Sequence, residues 1–512
     1  MENSPKERSQ ARNLTRISDD TQTNHEVSEE FSLPDYVPEI RKLLLIRAQA
    51  LPESKYISES SSPKSLEIGG TVTYSIIYTS EDGSLCALPL SSAYETKMPI
   101  SANGQVLVDT EVESCNARVT APRKLTVKTK LRSRILGFSE ESVEETITPR
   151  SSADEMYVER KTKEIESVSV LPITLQNVRM SEKIDTSGLT AVKPIWCDAS
   201  VILSDVKIQN GSVCVRGEAV VKCLCTSLEG ERTLVKSVPV VEEIEAEDAK
   251  INDFATVVPR CVSLSISNSE NQDENELFFE LECEFSGEVI RNSSLEIVKD
   301  AYSTKNEMVS SYKEIDIYRG LKSQNASLTV SEALKRQKPE ISKIIEIIAD
   351  PVYEKAEIKG NKIQLLGKLF ASVIGKTEPN GEGECEYLSE TYELPIKYET
   401  DIARTGGDVI ARCTLLLGNM SARYDSERVY ITAEVMPSYS VYERTWESVL
   451  DKGSINKDVE YKRDDSCVRV YFPKENESLW DVAKRYHAPV NALAEKNGIS
   501  RDEELILKHL II

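Results

Sequence analysis

Hydrophobic and polar residues alternate with a period of two along most of the chain. The clearest example is Phe279–Phe285, in which four apolar residues are separated by three glutamates. Comparable alternation occurs at residues 125–131 and 429–435. A period of two places one face of a strand on a core and the other in water, as in antiparallel sheets that pack as sandwiches. The pattern therefore predicts a mainly β protein.

Three sequence features recur in the same order along the chain. The most regular is a glycine within an alternating apolar stretch, and its copies are separated by 147 and 150 residues: Gly70, Gly217 and Gly367. A cysteine follows each glycine after 44 to 46 residues, at Cys115, Cys261 and Cys413. Upstream of each glycine lies an apolar segment that contains Ser-Glu, at Val27–Phe31, Met180–Ile184 and Val330–Leu334. Copies of about 150 residues are long enough for independent domains. We therefore expect three β-sandwich-like repeat domains in tandem, at residues 27–150, 160–318 and 325–450.

Several local patterns refine this organisation. In each copy the glycine inside the strand fits a β-bulge or a close backbone approach. Residues Pro339–Ile345 combine a proline with apolar residues at i, i+3 and i+4, which predicts a short helix before the strands of the third domain. Residues 1–26 are polar and lack periodicity, so we expect a disordered tail. Residues 451–465 are rich in Lys, Asp and Gly and are predicted to be a linker.

The pattern changes from Cys467 onward. Residues 468–471 are typical of a short strand, and residues 505–507 with 510–512 can supply a closing strand. Ser478 precedes apolar residues at i, i+3, i+4 and i+7, with Asp481 three residues after the serine, which predicts an N-capped helix. A second short helix follows and closes at Asn497-Gly498, where the glycine suits a left-handed C-cap. The predicted order is strand, helix, helix, strand.

These C-terminal residues resemble a LysM module, which we place at residues 466–512. The resemblance rests on the first strand, on Ser478–Ala483 and on Asn497-Gly498. It implies the small βααβ LysM fold, with structural residues Trp480, Val482, Ala483, Tyr486 and Leu493. Asn476-Glu477 replaces the usual Gly-Asp, and the closing Gly-Gln and Ile-Pro are missing. In the family those parts help shape the groove for N-acetylglucosamine chains.

The LysM resemblance also implies where a partner would bind. In that fold the turn entering the first helix lies beside the turn that follows the second helix. The predicted partner-binding residues are Asn476, Glu477, Ser478, Leu479, Asn497 and Ile499. Leu479 and Ile499 offer apolar area, and well-packed apolar anchors dominate many interfaces. For Trp480 the resemblance favours core packing over ligand contact, because in LysM modules this position usually packs the first helix.

Three such β repeats followed by one LysM resemble the SipL-type spore coat morphogenetic proteins, whose repeats are called SPOCS domains. The resemblance rests on the three glycine-containing strands, on Asp300–Lys305 and on Tyr312–Tyr318. It implies a non-enzymatic protein of the mother-cell cytoplasm, located at the forespore surface and in the spore coat. Its LysM would dock a coat morphogenetic ATPase and so tether the coat to the spore. Other spore coat proteins would also be partners. The alternative is a cell-wall protein whose LysM binds peptidoglycan.

Composition and charge argue against several classes of function. The 512 residues include 63 basic and 85 acidic side chains, a net charge of −22, which opposes binding to nucleic acid. No run of about 18 apolar residues is present to span a membrane. The polar start at residues 1–16 does not resemble a secretory signal. The odd count of eleven cysteines then favours reduced thiols in a cytosol.

Candidate chemistry is sparse. The three histidines, His25, His487 and His509, lie near no recognisable nucleophile or metal motif, so we expect no catalytic site and no cofactor. Cys223-Leu-Cys225 places two thiols on one strand face, where they could share a metal, but burial in the core is the commoner fate of free cysteine. The acidic run at residues 242–248 is either a docking patch for a basic partner or, more simply, a solvated strand face.

Overall fold

The structure is a computed structural model that describes residues 13–59, 63–142, 157–268, 276–379, 385–461, 469–474, 477–500 and 509–512. Antiparallel strands form almost all of it. The first repeat contains β1 (Asn13–Ser32), β2 (Lys42–Ser58), β3 (Ser65–Thr79), β4 (Leu85–Pro99), β5 (Val106–Ala121) and β6 (Lys124–Ser142). The second contains β7 (Val158–Ile184), β8 (Lys193–Gln209), β9 (Ser212–Ser227), β10 (Gly230–Glu245), β11 (Phe254–Asn268) and β12 (Leu277–Ser303). The third contains β13 (Asn306–Asn325), β14 (Leu328–Lys335), β15 (Ile341–Lys359), β16 (Lys362–Thr377), β17 (Tyr387–Asp401), β18 (Asp408–Tyr424) and β19 (Arg428–Glu460).

The same strand order occurs in all three repeats. In the first, β2-β3-β4 form one sheet and β1-β6-β5 the other. The second repeat has β8-β9-β10 and β7-β12-β11 in the same relation. In the third, β15-β16-β17 form one sheet, while β19 pairs with β13, β14 and β18 in the other. Each repeat has its own apolar core, built from both of its sheets. The predicted fold, mainly β with three sandwich-like repeats, is confirmed.

The recurrent glycines have one structural role. Gly70, Gly217 and Gly367 lie in the central strands β3, β9 and β16, each opposite a bulge in the preceding strand. The bulges lie at Pro52–Ser54, Leu203–Asp205 and Tyr353–Lys355. A Cβ added at these glycines would lie only 2.1 to 2.5 Å from a carbonyl oxygen of the bulged strand. Only glycine allows this approach, as the alternating pattern around it predicted.

Of the other two recurring features, the upstream Ser-Glu segments occupy equivalent places in the repeats and the cysteines do not. The ends of the upstream segments are equivalent, because Phe31, Ile184 and Leu334 each pair with the first apolar residue of β6, β12 or β19. The three cysteines are not equivalent. Cys261 lies at the bulge of β11, whereas Cys115 follows the bulge of β5 and Cys413 precedes that of β18. Their equal spacing after the glycines is therefore coincidental.

Two terminal assignments made from sequence are wrong. Residues 13–26, expected in a disordered tail, form most of β1 and pair with β6, and residues 1–12 lie outside the described part. The strand was missed because most of its side chains are polar, and buried apolar residues such as Leu14 and Ile17 are few and do not alternate. Residues 451–460, expected in a linker, continue β19 and pair with β13.

Two assignments around the third repeat are also wrong. Pro339–Ile345 is a turn followed by the start of β15, not a helix. This strand is buried on both faces: Ile347 packs in the core of its repeat and Ile348 between repeats, so its run of isoleucines resembles a helical pattern. Residues 306–318, assigned to the second repeat, belong to β13 and pair with β19 of the third.

The three repeats pack around a common pseudo-threefold axis. One residue from the first strand of each repeat takes part in a single buried cluster, and these residues are Ile17, Val168 and Tyr318. The same cluster contains Phe138, Ile290 and Tyr442 from β6, β12 and β19. A second cluster unites Ile77, Leu224 and Ile374, each seven residues after a recurrent glycine. Each repeat thus buries apolar surface against the others, and the repeats form one body rather than the independent domains expected from sequence.

Ion pairs between the repeats also join them. Arg47 of β2 forms ion pairs with Asp198 of β8 at 2.6 Å and with Asp350 of β15 at 2.8 Å, one residue from each repeat. Burial alone would lower the pKa of Arg47, but the two carboxylates outweigh it and raise the pKa above its ordinary value. Arg412 of β18 likewise contacts Asp109 of β5 and the fully buried Glu288 of β12.

Two ribbons extend beyond the sandwiches and form a stalk. They are the outer parts of β7 with β12 and of β13 with β19. The apolar side chains of these ribbons pack on one another and on Leu14. The side chains concerned are Ile165, Leu295, Ile297, Ile315, Ile317 and Val449.

A C-terminal module follows the stalk, with the elements β20 (Val470–Tyr471), α1 (Leu479–Arg485), α2 (Val490–Asn497) and β21 (Leu510–Ile511). This is the predicted strand, helix, helix, strand order, although residues 468 and 505–507 lie outside the described part. In the described ranges, neither helix has the length and apolar character needed to cross a membrane.

Candidate functional site

The C-terminal module has its own small core between its two helices. Ser478 caps α1 by accepting from the Asp481 backbone N–H, and Asp481 bonds back to the Ser478 backbone in a capping box. Gly498 ends α2 with a left-handed φ of 66°. The residues predicted to be structural all lie in or against this core: Trp480, Val482, Ala483, Tyr486 and Leu493.

The module is docked on the end of the stalk by an aromatic contact. Tyr302, near the end of β12, joins the apolar cluster of the module. Its ring meets that of Trp480 edge to face, with centroids 5.0 Å apart. Its hydroxyl donates to the Ala488 carbonyl oxygen, in the turn between the helices, at 2.7 Å. The indole of Trp480, 6% exposed, is therefore part of the interface with the body as well as of the module core.

A charged contact accompanies the aromatic one. Asp300 accepts the indole N–H of Trp480 at 2.8 Å and receives the Lys484 ammonium on both carboxylate oxygens at 2.7 Å. Tyr312 of β13 also donates to Asp300. Burial alone would raise the pKa of Asp300, but Lys484, Tyr312 and Trp480 outweigh it and hold the pKa below its ordinary value. The contact therefore favours an ionised Asp300.

A third contact fixes the turn between the helices. His487 has a positive φ of 51° and stacks on Tyr461, with ring centroids 3.5 Å apart and planes 11° from parallel. Burial lowers the pKa of His487, which favours the neutral ring. Because Tyr461 directly follows β19, the module is held by residues of the second and third repeats together.

Three of the residues predicted to bind a partner are engaged inside the module. Glu477 accepts from the Tyr471 hydroxyl at 2.8 Å and pairs with Arg485 at 2.6 Å. Asn497 accepts from the Ile511 backbone N–H at 2.6 Å and donates to the carbonyl oxygen of the same residue at 2.8 Å, which ties α2 to β21. Leu479 is 1% exposed and packs in the core, so its role as an exposed anchor is wrong. A leucine at the first position of a helix faces the core when the cap directs the chain inward.

The remaining predicted contacts stay candidates. Ser478 and Ile499 are half-buried at the entrance to α1 and after α2, where the two turns were expected to meet. Ile499 packs partly on the module core. Asn476 lies outside the described residues. The surface that docks on the stalk, formed by Trp480, Lys484 and the turn before α2, is therefore distinct from the predicted partner surface.

Sequence reasoning missed the docking site itself. Asp300–Lys305 carries part of the family resemblance, but no sequence pattern links it to the C-terminal helices. At the equivalent end of the third repeat, the segment 452–454 reads Lys-Gly-Ser and carries neither the carboxylate nor the ring. One signal could have indicated the docking site. Asp-Ala-Tyr occurs in one repeat, and the chain carries one C-terminal module that it could hold.

The histidine, cysteine and acidic groups considered as candidates elsewhere in the chain lie in strands or their turns. His25, expected in a tail, lies in β1 beside Tyr94, with ring centroids 5.5 Å apart. Cys223 and Cys225 are buried with their sulfurs 3.3 Å apart. Within the described ranges, no group of three or more His, Cys, Asp or Glu side chains is placed to hold a metal. The acidic run at 242–248 covers the end of β10 and the following turn, with its carboxylates mostly exposed.

Comparison with known proteins identifies the C-terminal module. The family model of the LysM domain matches residues 474–507. No curated protein and no solved structure matches the chain significantly. The chain therefore carries a LysM domain, a module associated with peptidoglycan and carbohydrate binding, on a three-repeat β body.

Proposed function

We propose that this protein is a non-enzymatic assembly protein of sporulation, which helps to build and tether the spore coat at the forespore surface. The LysM domain docks a coat morphogenetic ATPase, and the three-repeat body presents surface to other coat proteins. The observation that carries this proposal is the clamp of Asp300 and Tyr302 on the LysM domain. A partner bound to a module fixed in this way is held at a defined place relative to the whole body.

Two further arguments support an assembly role. Ion pairs of Arg47 and Arg412 join the three repeats of the body to one another. The repeat architecture with a terminal LysM resembles the SipL-type coat proteins, which act in the mother-cell cytoplasm. We extend that location and the absence of enzymatic activity to this protein as part of the same proposal.

A second candidate function is binding of peptidoglycan or another N-acetylglucosamine polymer. The LysM family match favours it. The half-buried Ser478 and Ile499 lie on the side of the module where glycan binding would be sought. A docked module leaves this side available, because the stalk contacts Trp480, Lys484 and the turn before α2.

The test compares two forms of the protein against two binding targets. The full chain and a chain ending at residue 461 are titrated with the purified coat ATPase and sedimented with purified peptidoglycan. Binding of the ATPase by the full chain alone supports the assembly role. Pelleting with peptidoglycan that chitooligosaccharides reverse, without ATPase binding, supports the glycan role and contradicts the assembly role.

A further inference from the structure

A pair of cysteines stands at one bulge of the second repeat. Cys261 of β11 and Cys283 of β12 are directly opposite in the antiparallel register, immediately before the bulge. Their sulfur atoms are 4.0 Å apart, and neither is in a disulfide. Opposed residues of an antiparallel pair have Cα atoms about 4.5 to 5.5 Å apart, within the about 4.4 to 6.8 Å that a disulfide requires. The backbone is thus already placed for a cross-link.

The other repeats carry ordinary core pairs at the equivalent place. The residues directly before the corresponding bulges are Val112 opposite Leu131 in the first repeat and Leu417 opposite Val435 in the third. Packing at this bulge therefore needs only two apolar side chains. Two thiols at the site in the second repeat supply a chemistry that the fold does not require.

The bulge also gives a small oxidant a route to the pair. β11 is an edge strand of its sheet, and the bulged residue Val262 is 43% exposed. Cys261, beside it, is half-buried, whereas Cys283 is buried in the core. Because the two sulfurs are 4.0 Å apart, oxidation of either one leaves the other in place to resolve it as a disulfide.

We infer that Cys261 and Cys283 form a reversible oxidation site that hydrogen peroxide converts into a cross-strand disulfide. The thiolate of one cysteine attacks one peroxide oxygen, and the O–O bond breaks. This step yields a sulfenic acid and one water molecule after proton transfer. The sulfur of the other cysteine then attacks the sulfenic sulfur, an S–S bond forms, and the hydroxyl leaves as a second water. Two thiols are oxidised, one peroxide is reduced, and a dithiol reductant reverses the reaction.

The experiment treats the full chain with hydrogen peroxide, blocks the remaining thiols and maps the disulfides by mass spectrometry without reduction. We expect a Cys261–Cys283 link, a loss of two titratable thiols and a higher Tm, all reversed by dithiothreitol. Cross-linking restricts the unfolded chain, which is the basis of the expected rise in Tm.

The matched variant replaces the pair by the residues of the first repeat, Cys261→Val with Cys283→Leu, a combination that the fold already accommodates. It should fold and lose both the link and the rise in Tm. Cys413→Ala, which removes a single buried thiol of the third repeat, should leave both unchanged. A peroxide-treated chain in which Cys261 is over-oxidised without a link to Cys283, or in which Cys223 and Cys225 react first, overturns the inference.

Discussion

The indole N–H of Trp480 donates a hydrogen bond to a carboxylate oxygen of Asp300 at 2.8 Å, which joins the LysM domain to a strand 180 residues earlier in the chain. Lys484 binds the same carboxylate from the next turn of α1. The small domain is therefore oriented by the body rather than carried on a free tether. The first prediction follows from this bond.

Replacing Asp300 by Asn should release the LysM domain from the stalk. Lys484 loses its charged partner, and a hydrogen bond to a charged group contributes about 1.5 to 3 kcal/mol. We expect faster amide hydrogen exchange in α1 and no change in the Tm of the body. Asp316→Asn, which removes the partner of Arg444 on the same stalk, is the control and should leave α1 protected. Unchanged exchange in Asp300→Asn would contradict the clamp.

Docking of the LysM domain should depend on pH at both extremes. The pKa of Asp300 is lowered in the folded protein, so its contribution is present above the ordinary carboxylate pKa of about 3.9 and is lost as pH falls through the lowered value. The pKa of Lys484 is raised, so its contribution is complete below about 10.4 and disappears as pH rises further. Protection of α1 against exchange, corrected for intrinsic rates, should thus be constant around neutral pH. In Asp300→Asn the acid-dependent loss should be absent.

Two neighbouring glycines of β3 should respond differently to alanine. At Gly70 an added Cβ would lie 2.2 Å from the Leu51 carbonyl oxygen, and backbone must move. At Gly69 the nearest atom, 3.0 Å away, is the Ser54 hydroxyl, which can rotate. Overpacking costs about 1 to 3 kcal/mol or more, so Gly70→Ala should lower the free energy of unfolding by at least that amount and Gly69→Ala by less. Urea denaturation measures both, and equal losses would argue against the bulge contact.

The Arg47 ion pairs should be essential to the packing of the repeats. Arg47→Ala leaves the partly exposed Asp198 and Asp350 without their shared cation. The loss should lie between the at most about 1 kcal/mol of an exposed pair and the about 3 to 5 kcal/mol of a fully buried one. Lys42→Ala removes an exposed pair with Glu386, which also links two repeats, and should cost no more than about 1 kcal/mol. Calorimetry should show the larger loss as one shifted transition, because the repeats bury apolar clusters against one another. Separate melting of one repeat would instead indicate independent domains.

Leu479 and Ile499 should separate stability from binding in the LysM domain. Leu479→Ala opens a cavity in its core and should cost about 2 to 5 kcal/mol, which a domain of this size cannot sustain. Ile499→Ala is expected to leave the domain folded and to weaken binding of the partner or glycan identified for it. Circular dichroism and titration of the same samples test both. A folded Ile499→Ala variant with unchanged affinity would move the binding surface away from this turn.

The sequence predicted the elements better than their association. Alternation such as that of Phe279–Phe285 identified strands, and the spacing of Gly70, Gly217 and Gly367 identified the repeats, because both reflect contacts within one sheet. β15 was misread because Ile347 and Ile348 are buried on opposite faces, which removes the alternation. The clustering of Ile17, Val168 and Tyr318 was not predictable from sequence, since it joins residues about 150 positions apart whose local patterns resemble ordinary core.

In the candidate site, too, features set by local sequence were easier to predict than contacts between distant residues. Helix caps and core positions of the LysM domain depend on local sequence patterns, and Trp480 and Val482 lie in its core. The contact of Trp480 with Asp300 is polar and distant in sequence, so no periodicity reports it. Leu479 was misplaced because its apolar character fits a core and an interface equally well.

The clamp on the LysM domain has a consequence for the order of events during synthesis. Asp300 and Tyr302 leave the ribosome long before the helices that they hold, and Tyr461 is in place only after β19 has paired with β13. Proteins generally fold from the N-terminus as they are made. The LysM domain can therefore reach its final orientation only on a completed body, and a chain with a misfolded body would display it unaligned. An assembly that binds only the aligned domain would therefore incorporate correctly folded molecules and leave out misfolded ones.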